Sequence, residues 1–360
     1  MLARTSGRRP YAALAAAGLV VVALAGCTGD DAGTPAAGSR PSTPASAGSS
    51  SGGPSSSGPS SAEPSSDPST TRPTTEPSAE PSADPAAGLG GPGVRPDDML
   101  ATVRLLAGRI GPREATSDAF AQAAEVVARR LAGYGYEVTR QRFRVPAGLS
   151  WGVPVDAGAS LNVVATPAGL DRTAPHRIVG AHLDTVPQAP GAEDNASGIA
   201  VLLDVARLAA RTTGPGTALP TVFIGFGAEE PRGEGDALHH FGSTAHVRRL
   251  SPAQLRAVRG MVSLDRVGTG TVVPVCTGGL SPLRVRDDLL ATARRAGIAA
   301  AGCTDNTASD HWSYEKAGVP AARVGGTPYA AYHSAADLPG VPQRAQLRRV
   351  AELTWAWLRG

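Results

Sequence analysis

The sequence predicts an α/β fold: a single domain with a largely parallel, mixed central sheet covered by helices on both faces. Three observations predict it. Short apolar runs of strand character, at residues 161–165, 178–181, 221–226, 261–264 and 321–324, alternate with longer helical segments. Strands alternating with helices pack as a parallel sheet between two helical layers. The helical segments carry their own punctuation, Ser or Asp at the start and Gly at the end. Residues 28 to about 93 carry almost no large apolar residues, so only the part of the 360-residue chain after about 94 can bury a core.

The elements follow in order. Pro96 and Asp97 open a helix that runs to about residue 109. Ser117 and Asp118 cap a second over 119–132, closed by Gly133. Residues 136–145 alternate as a strand, and 161–165 and 178–181 form short apolar strands. Residues 197–210 are helical, and 221–226 is a buried strand. Ser251, with Pro252 in the first turn, starts another helix. Strands at 261–264 and 271–275 precede a helix capped by Ser281 and Pro282 and ending at residue 296. A short helix over 309–317 closes at Gly318, a last strand spans 321–324, and a helix over 343–358 ends the chain.

The first 93 residues read differently. Arg4, Arg8 and Arg9 precede a short apolar run, 12–25, that ends in Leu24-Ala25-Gly26-Cys27. The run is too short and too early for a good spanning helix. It resembles the bacterial lipobox, which implies a lipoprotein signal peptide over 1–26, cleavage before Cys27 and acylation of that cysteine; an ordinary secretory signal is the alternative. Both place the domain outside the cytoplasm, at the extracellular face of the cell membrane or secreted. Residues 27–93 are Ser/Pro/Thr-rich and lack the apolar surface to fold. As a random coil they would span roughly 45 Å, a tether for a catalytic domain over 94–360. An oxidising compartment favours a disulfide between Cys276 and Cys303; two buried free thiols are the alternative. The net charge is +3, Lys316 is the single lysine, and neither a clustered basic face nor stacking aromatics argues for nucleic acid.

The chemistry lies at the ends of the apolar runs. His182, Asp194, Glu230, Asp265 and His333 supply two imidazoles and three carboxylates in a spread of about 150 residues. That is a donor set for two zinc ions sharing one carboxylate, and oxygen and nitrogen donors also accept another divalent transition metal. In an extended segment residues two apart point the same way, so Asp184 is expected to reach the free ring nitrogen of His182. Asp194-Asn195 opens a helix; alone it reads as a cap, but twelve residues after His182 its carboxylate is placed to bridge two ions. Glu229 and Glu230 are adjacent carboxylates after a strand. They repel unless a cation or proton is shared, and adjacent side chains diverge, so Glu230 is assigned to metal and Glu229 to general base and acid. Asp265 terminates a strand, and His333 lies in a loop before the last helix. His176 and His246 are expected at the surface, His239 and His240 along the cleft, and Ser309, Asp310 and His311 beside the metal ligands.

The segments AHLDT, GAEDNASG, GAEE, SLD, SDH and YHSAAD, in that order over about 180–340, resemble the co-catalytic zinc aminopeptidases, metallopeptidase family twenty-eight. The resemblance implies a zinc exopeptidase-like fold, with one zinc on His182, Asp194 and Asp265 and the other on Asp194, Glu230 and His333. It implies Glu229 as base, Tyr332 donating to the tetrahedral oxyanion, and a cis Asp194–Asn195 peptide. The expected reaction is hydrolysis of an N-terminal peptide bond by a hydroxide held between two zinc ions about 3.5–4 Å apart, one of which would also bind the free amine of the peptide substrate. Two departures from the family pattern are an insertion over 232–240 and Arg266 in a position that is often apolar in relatives. Rival readings are a di-zinc carboxypeptidase or deacylase, which needs an extra domain this chain has no room for, and a glutaminyl cyclase-like enzyme, which uses a single zinc. A Gly-x-Ser-x-Gly match at 148–152 is followed by Pro154 without a helix, against a serine hydrolase.

Overall fold

The computed structural model describes residues 93–212, 219–280 and 282–360. The signal peptide, Cys27, nearly all of the linker and Ser281 lie outside the described residues. No described helix is long and apolar enough to cross a membrane.

Chain order is α1 (Pro96–Val103), a π-helical extension Arg104–Ile110, α2 (Asp118–Gly133) and β1 (Tyr136–Val145). A small hairpin follows, β2 (Gly148–Ser150) and β3 (Val153–Val155), then β4 (Gly158–Pro167) and β5 (His176–His182). A π-helical turn, Ala192–Ala196, leads into α3 (Ser197–Arg211), followed by β6 (Thr221–Phe226) and a 3₁₀ turn, Asp236–Leu238. Next come α4 (Phe241–Arg248), α5 (Pro252–Ala257), β7 (Val258–Asp265), β8 (Val273–Cys276), α6 (Arg284–Ala296) and β9 (Ala300–Cys303). The chain ends with α7 (His311–Lys316), β10 (Ala321–Gly325) and α8 (Arg344–Arg359). Local chemistry explains the boundaries. Ser117 accepts from the Phe120 amide at the start of α2, and Ser251 and Gln254 form a reciprocal capping box on α5. Helix α6 starts at Arg284 with no side-chain cap, later than the Ser-Pro signal predicts.

Eight strands form one sheet in the order β1-β4-β6-β5-β7-β10-β8-β9. Its centre is parallel: β5 pairs with both β6 and β7, and β7 with β10. Antiparallel pairings of β1, β4 and β6 on one flank, and of β10 with β8 on the other, make it mixed. Neighbouring residues of the central strands bury into opposite layers. Val179, Phe223 and Val262 pack with residues of α1, α2, α3, α6 and α8, whereas Ile178, Val222 and Met261 pack toward α4, α5 and α7. Both faces are covered, as the alternation of elements requires.

His176 and His246 are a correction to the sequence reading. Both are buried, not superficial. The Tyr314 hydroxyl lies 2.7 Å from His246 Nδ1, and Arg172 lies 3.1 Å from its Nε2. Polar partners inside the fold substitute for water, and sequence patterning does not show them. Strands β2 and β3 and helix α4 are also absent from the pattern; the two strands are only three residues long. Cys276 and Cys303 end the parallel pair β8 and β9 and are disulfide-bonded, with Cα atoms 4.5 Å apart.

Candidate active site

The carboxyl ends of the central parallel strands converge. His182 is the last residue of β5 and Asp265 the last of β7, and Glu229 and Glu230 follow β6 by three and four residues. Crevices at this end of a parallel sheet are where α/β proteins place their chemistry. Asp194 arrives on the turn before α3, joined to Asn195 by a cis peptide. Asn195 is held by donation to the Leu264 carbonyl (2.8 Å) and by accepting from the Gly198 amide (2.9 Å). Gly198 is required here, because a Cβ would collide with Asn195 Oδ1 and the Leu264 carbonyl.

The two oxygens of Asp194 face two histidines. Oδ1 lies 3.0 Å from His182 Nε2, and Oδ2 lies 3.1 Å from His333 Nε2. Asp265 flanks the first pair, 3.8 Å from His182 Nε2, and Glu230 flanks the second, 3.4 Å from His333 Nε2. Donor atoms of His182, Asp194 and Glu230 all lie within 4.8 Å of one another. The structure thus brings together all five residues predicted as metal ligands.

The electrostatics test whether cations suit this donor set. Burial pushes Glu230 up to about 8; His333 opposes this and Asp194 adds to it. Burial, reinforced by Glu229, likewise pushes Asp310 up to about 7. Burial alone would depress the His182 imidazole, but Glu229, Asp194 and Asp265 outweigh it and carry its pKa well above the usual value. The pocket is short of positive charge. Glu230 Oε1 is buried with no hydrogen-bond partner, as are both carboxylate oxygens of Asp310. Cations held by this donor set would relieve the charge and the unsatisfied Glu230 oxygen, and nitrogen and carboxylate donors suit zinc.

Asp184 does not do what the spacing predicts. His182 Nδ1 is 3.2 Å from the Asp184 backbone carbonyl, while the Asp184 carboxylate is 3.9 Å away. That carboxylate instead accepts from the amides of Glu229 and Glu230, both at 3.1 Å. The chain turns after β5, so the carbonyl takes the ring and the side chain is free to pin the neighbouring loop. The imidazole is still oriented from behind, leaving Nε2 to face the carboxylates.

Glu229 is buried, and His240 Nε2 lies 3.3 Å from its Oε1. His240 closes the predicted insertion: its amide donates to the Glu229 carbonyl, and the Arg232 amide to the Leu238 carbonyl. Ser309 shares a 2.9 Å hydroxyl contact with Ser263 of β7, and the charge of Asp310 acts on Glu229, His182 and His240. His311 faces the Asn306 carbonyl at 2.8 Å. Tyr332 stacks on the His333 ring at 3.7 Å, and Trp151, at the tip of the β2–β3 hairpin, meets the same ring edge-on at 4.3 Å.

Several supporting residues escaped the sequence reading. Arg113 is completely buried and donates to the carbonyls of Leu106, Gly111, Leu183, Pro190 and Gly191. Asp337 accepts from the amides of Glu193 and Asp194 and from the Tyr329 hydroxyl, tying the His333 loop to the Asp194 turn. Arg323 lies 3.1 Å from Asp265 Oδ1. The only advance signal is that Glu193 and Asp337 fall inside the two motifs GAEDNASG and YHSAAD; Arg113 and Trp151 carry none.

The model of peptidase family M28 matches residues 162–358. Aminopeptidase YwaD of Bacillus subtilis is 30% identical over 188 residues, which cover 49% of this chain and 39% of that protein. The chain therefore spans about two-fifths of that relative's length. The fold is similar to that of BSAP, a zinc aminopeptidase from Bacillus subtilis, with a TM-score of 0.65 at 19% identity over 74% of this chain and 95% of that one. It is also similar to Porphyromonas gingivalis glutaminyl cyclase, with a TM-score of 0.62 at 19% identity over 74% of this chain and 99% of that one. The family match covers more than half of the sequence, and the predicted segments lie in the predicted order at one crevice: the chain belongs to peptidase family M28.

Proposed function

We propose that this protein is a zinc-dependent exopeptidase that hydrolyses the N-terminal peptide bond of its substrate. One observation carries the reading: Asp194 turns one oxygen to His182 and the other to His333, with Asp265 and Glu230 outside them. His182, Asp194 and Asp265 would hold one zinc, and Asp194, Glu230 and His333 the other. Zinc ions so held would acidify a water and polarise the scissile carbonyl.

The remaining work falls to the chain's own residues. Glu229 takes a proton from the attacking water and returns it to the leaving amine, the two halves of general base and acid catalysis. His240 holds one oxygen of Glu229, which leaves the other to address the water. The Tyr332 phenol keeps its proton, because burial, reinforced by Asp194, raises its pKa; it can donate to the oxyanion as the carbonyl becomes tetrahedral. The name of the Bacillus relative, an aminopeptidase, favours cleavage at the N-terminal end. The lipobox and tether would fix this domain to the outer face of the cell membrane through Cys27.

The test is cleavage of free-amine and N-acetylated aminoacyl anilides by the full chain, with and without a zinc chelator. The reading expects chelator-sensitive cleavage of the free-amine set alone. Cleavage of the blocked set would move the function to another amide hydrolase, and cyclisation of N-terminal glutamine without hydrolysis would move it to a glutaminyl cyclase-like activity.

A further inference from the structure

Arg266 has a place in the site but no task in the mechanism above. It follows Asp265 directly, and its backbone is left-handed, with φ of +54°. That conformation is uncommon for a residue with a side chain. The guanidinium then lies over the Tyr332 ring, 4.4 Å from its centroid, and Tyr332 itself stacks on His333. Arg266 Nε is 3.7 Å from Asp265 Oδ1. Asp265, however, has a closer cation in the buried Arg323 at 3.1 Å. Arg266 is therefore surplus to the pairing of Asp265.

Its donors are also uncommitted. Among the described residues the guanidinium makes no hydrogen bond; the backbone amide donates to Asn195 Oδ1 and the backbone carbonyl accepts from the Gly326 amide. Its nitrogens are not among the sealed, unbonded polar atoms of the interior, and the side chain keeps 13% of its surface exposed. A planar cation is thus held against the Tyr332 ring, 3.7 Å from the candidate metal ligand Asp265, with its fork open. Guanidinium forks match carboxylates in geometry and charge.

We propose that Arg266 reads a carboxylate of the substrate, so that the site selects peptides carrying an acidic group next to the scissile bond. This rests on the peptidase reading. The carboxylate has two possible sources, the side chain of an N-terminal Asp or Glu and the terminal carboxylate of a dipeptide. Trp151, half exposed beside Tyr332 and His333, completes the wall on which such a substrate would lie.

The test separates binding from turnover. In the zinc-loaded Glu229→Gln protein, dissociation constants are measured by calorimetry for two matched pairs, with and without Arg266→Met. Glu-Leu-amide against Gln-Leu-amide isolates the side-chain carboxylate; Leu-Leu against Leu-Leu-amide isolates the terminal one. The proposal expects at least one pair to favour the carboxylate about ten-fold or more, the scale of a charge-assisted hydrogen bond, and Arg266→Met to bring that ratio to about one. It is overturned if neither pair discriminates, if the preference survives Arg266→Met, or if the substitution weakens both members of each pair equally. Hydrolysis of the same peptides by the unsubstituted protein tests the peptidase reading separately, because the binding ratios stand without turnover.

Discussion

The floor and the rim of this crevice are built on different terms. The floor, comprising His182, Asp184, Asp194 and Asp265, is anchored at strand ends and by buried, backbone-directed contacts. Arg113 gathers five carbonyls, Asp337 takes two amides, and Asp184 takes two more. The rim, made by Trp151, Arg266, Tyr332 and His333, is held by ring stacking and partial exposure. Backbone strain marks the boundary. Of six described non-glycine residues with positive φ, five (Trp151, Ala228, His240, Arg266 and His333) lie at or beside the site. Such conformations persist only where surrounding structure enforces them, and they concentrate at working sites. The floor fixes His182, Asp194 and Asp265, while the rim brings in His333 and leaves Trp151, Arg266 and Tyr332 to set what the site meets.

The largest expected effect separates chemistry from metal holding. Glu229→Ala should lower turnover by about 10²- to 10⁴-fold, the usual range for a general base, while zinc content stays unchanged. Steady-state kinetics with parallel metal analysis checks this; loss of zinc in proportion to activity would make Glu229 a ligand. Next comes the floor's scaffold. Arg113→Met leaves several carbonyls without their donor, and each buried orphan costs about 1–3 kcal/mol. The expected loss is at least about 3 kcal/mol in denaturant unfolding. A change below about 1 kcal/mol would mean that the floor stands without it.

The rim should respond in the opposite way. Trp151 is half exposed, so Trp151→Ala should change stability by no more than about 0.5 kcal/mol. It should raise KM several-fold at nearly constant kcat, because the substrate loses a wall and the base does not move. A fall in kcat with constant KM would place Trp151 with the catalytic groups.

The same division explains what the sequence revealed. The sheet was legible because its central strands are apolar runs ending in charged residues, and the five donors were legible because each stands at such an end or in a motif. Asp184 was misread in detail, since extended geometry does not continue past His182. Arg113, Asp337 and His240 work through backbone groups or through a loop brought back by the fold, and no periodicity encodes those contacts. His246 looked superficial because its partners, Tyr314 and Arg172, are distant in sequence.

Two cations held by five residues through a shared Asp194 would leave a direct trace in metal content. The most direct measurement is zinc per chain in the purified protein and in Asp194→Ala, by elemental analysis after dialysis. Two ions per chain falling to nearly none in the variant is the predicted result. A single ion in the parent protein, or one retained at full occupancy in Asp194→Ala, would contradict a shared carboxylate.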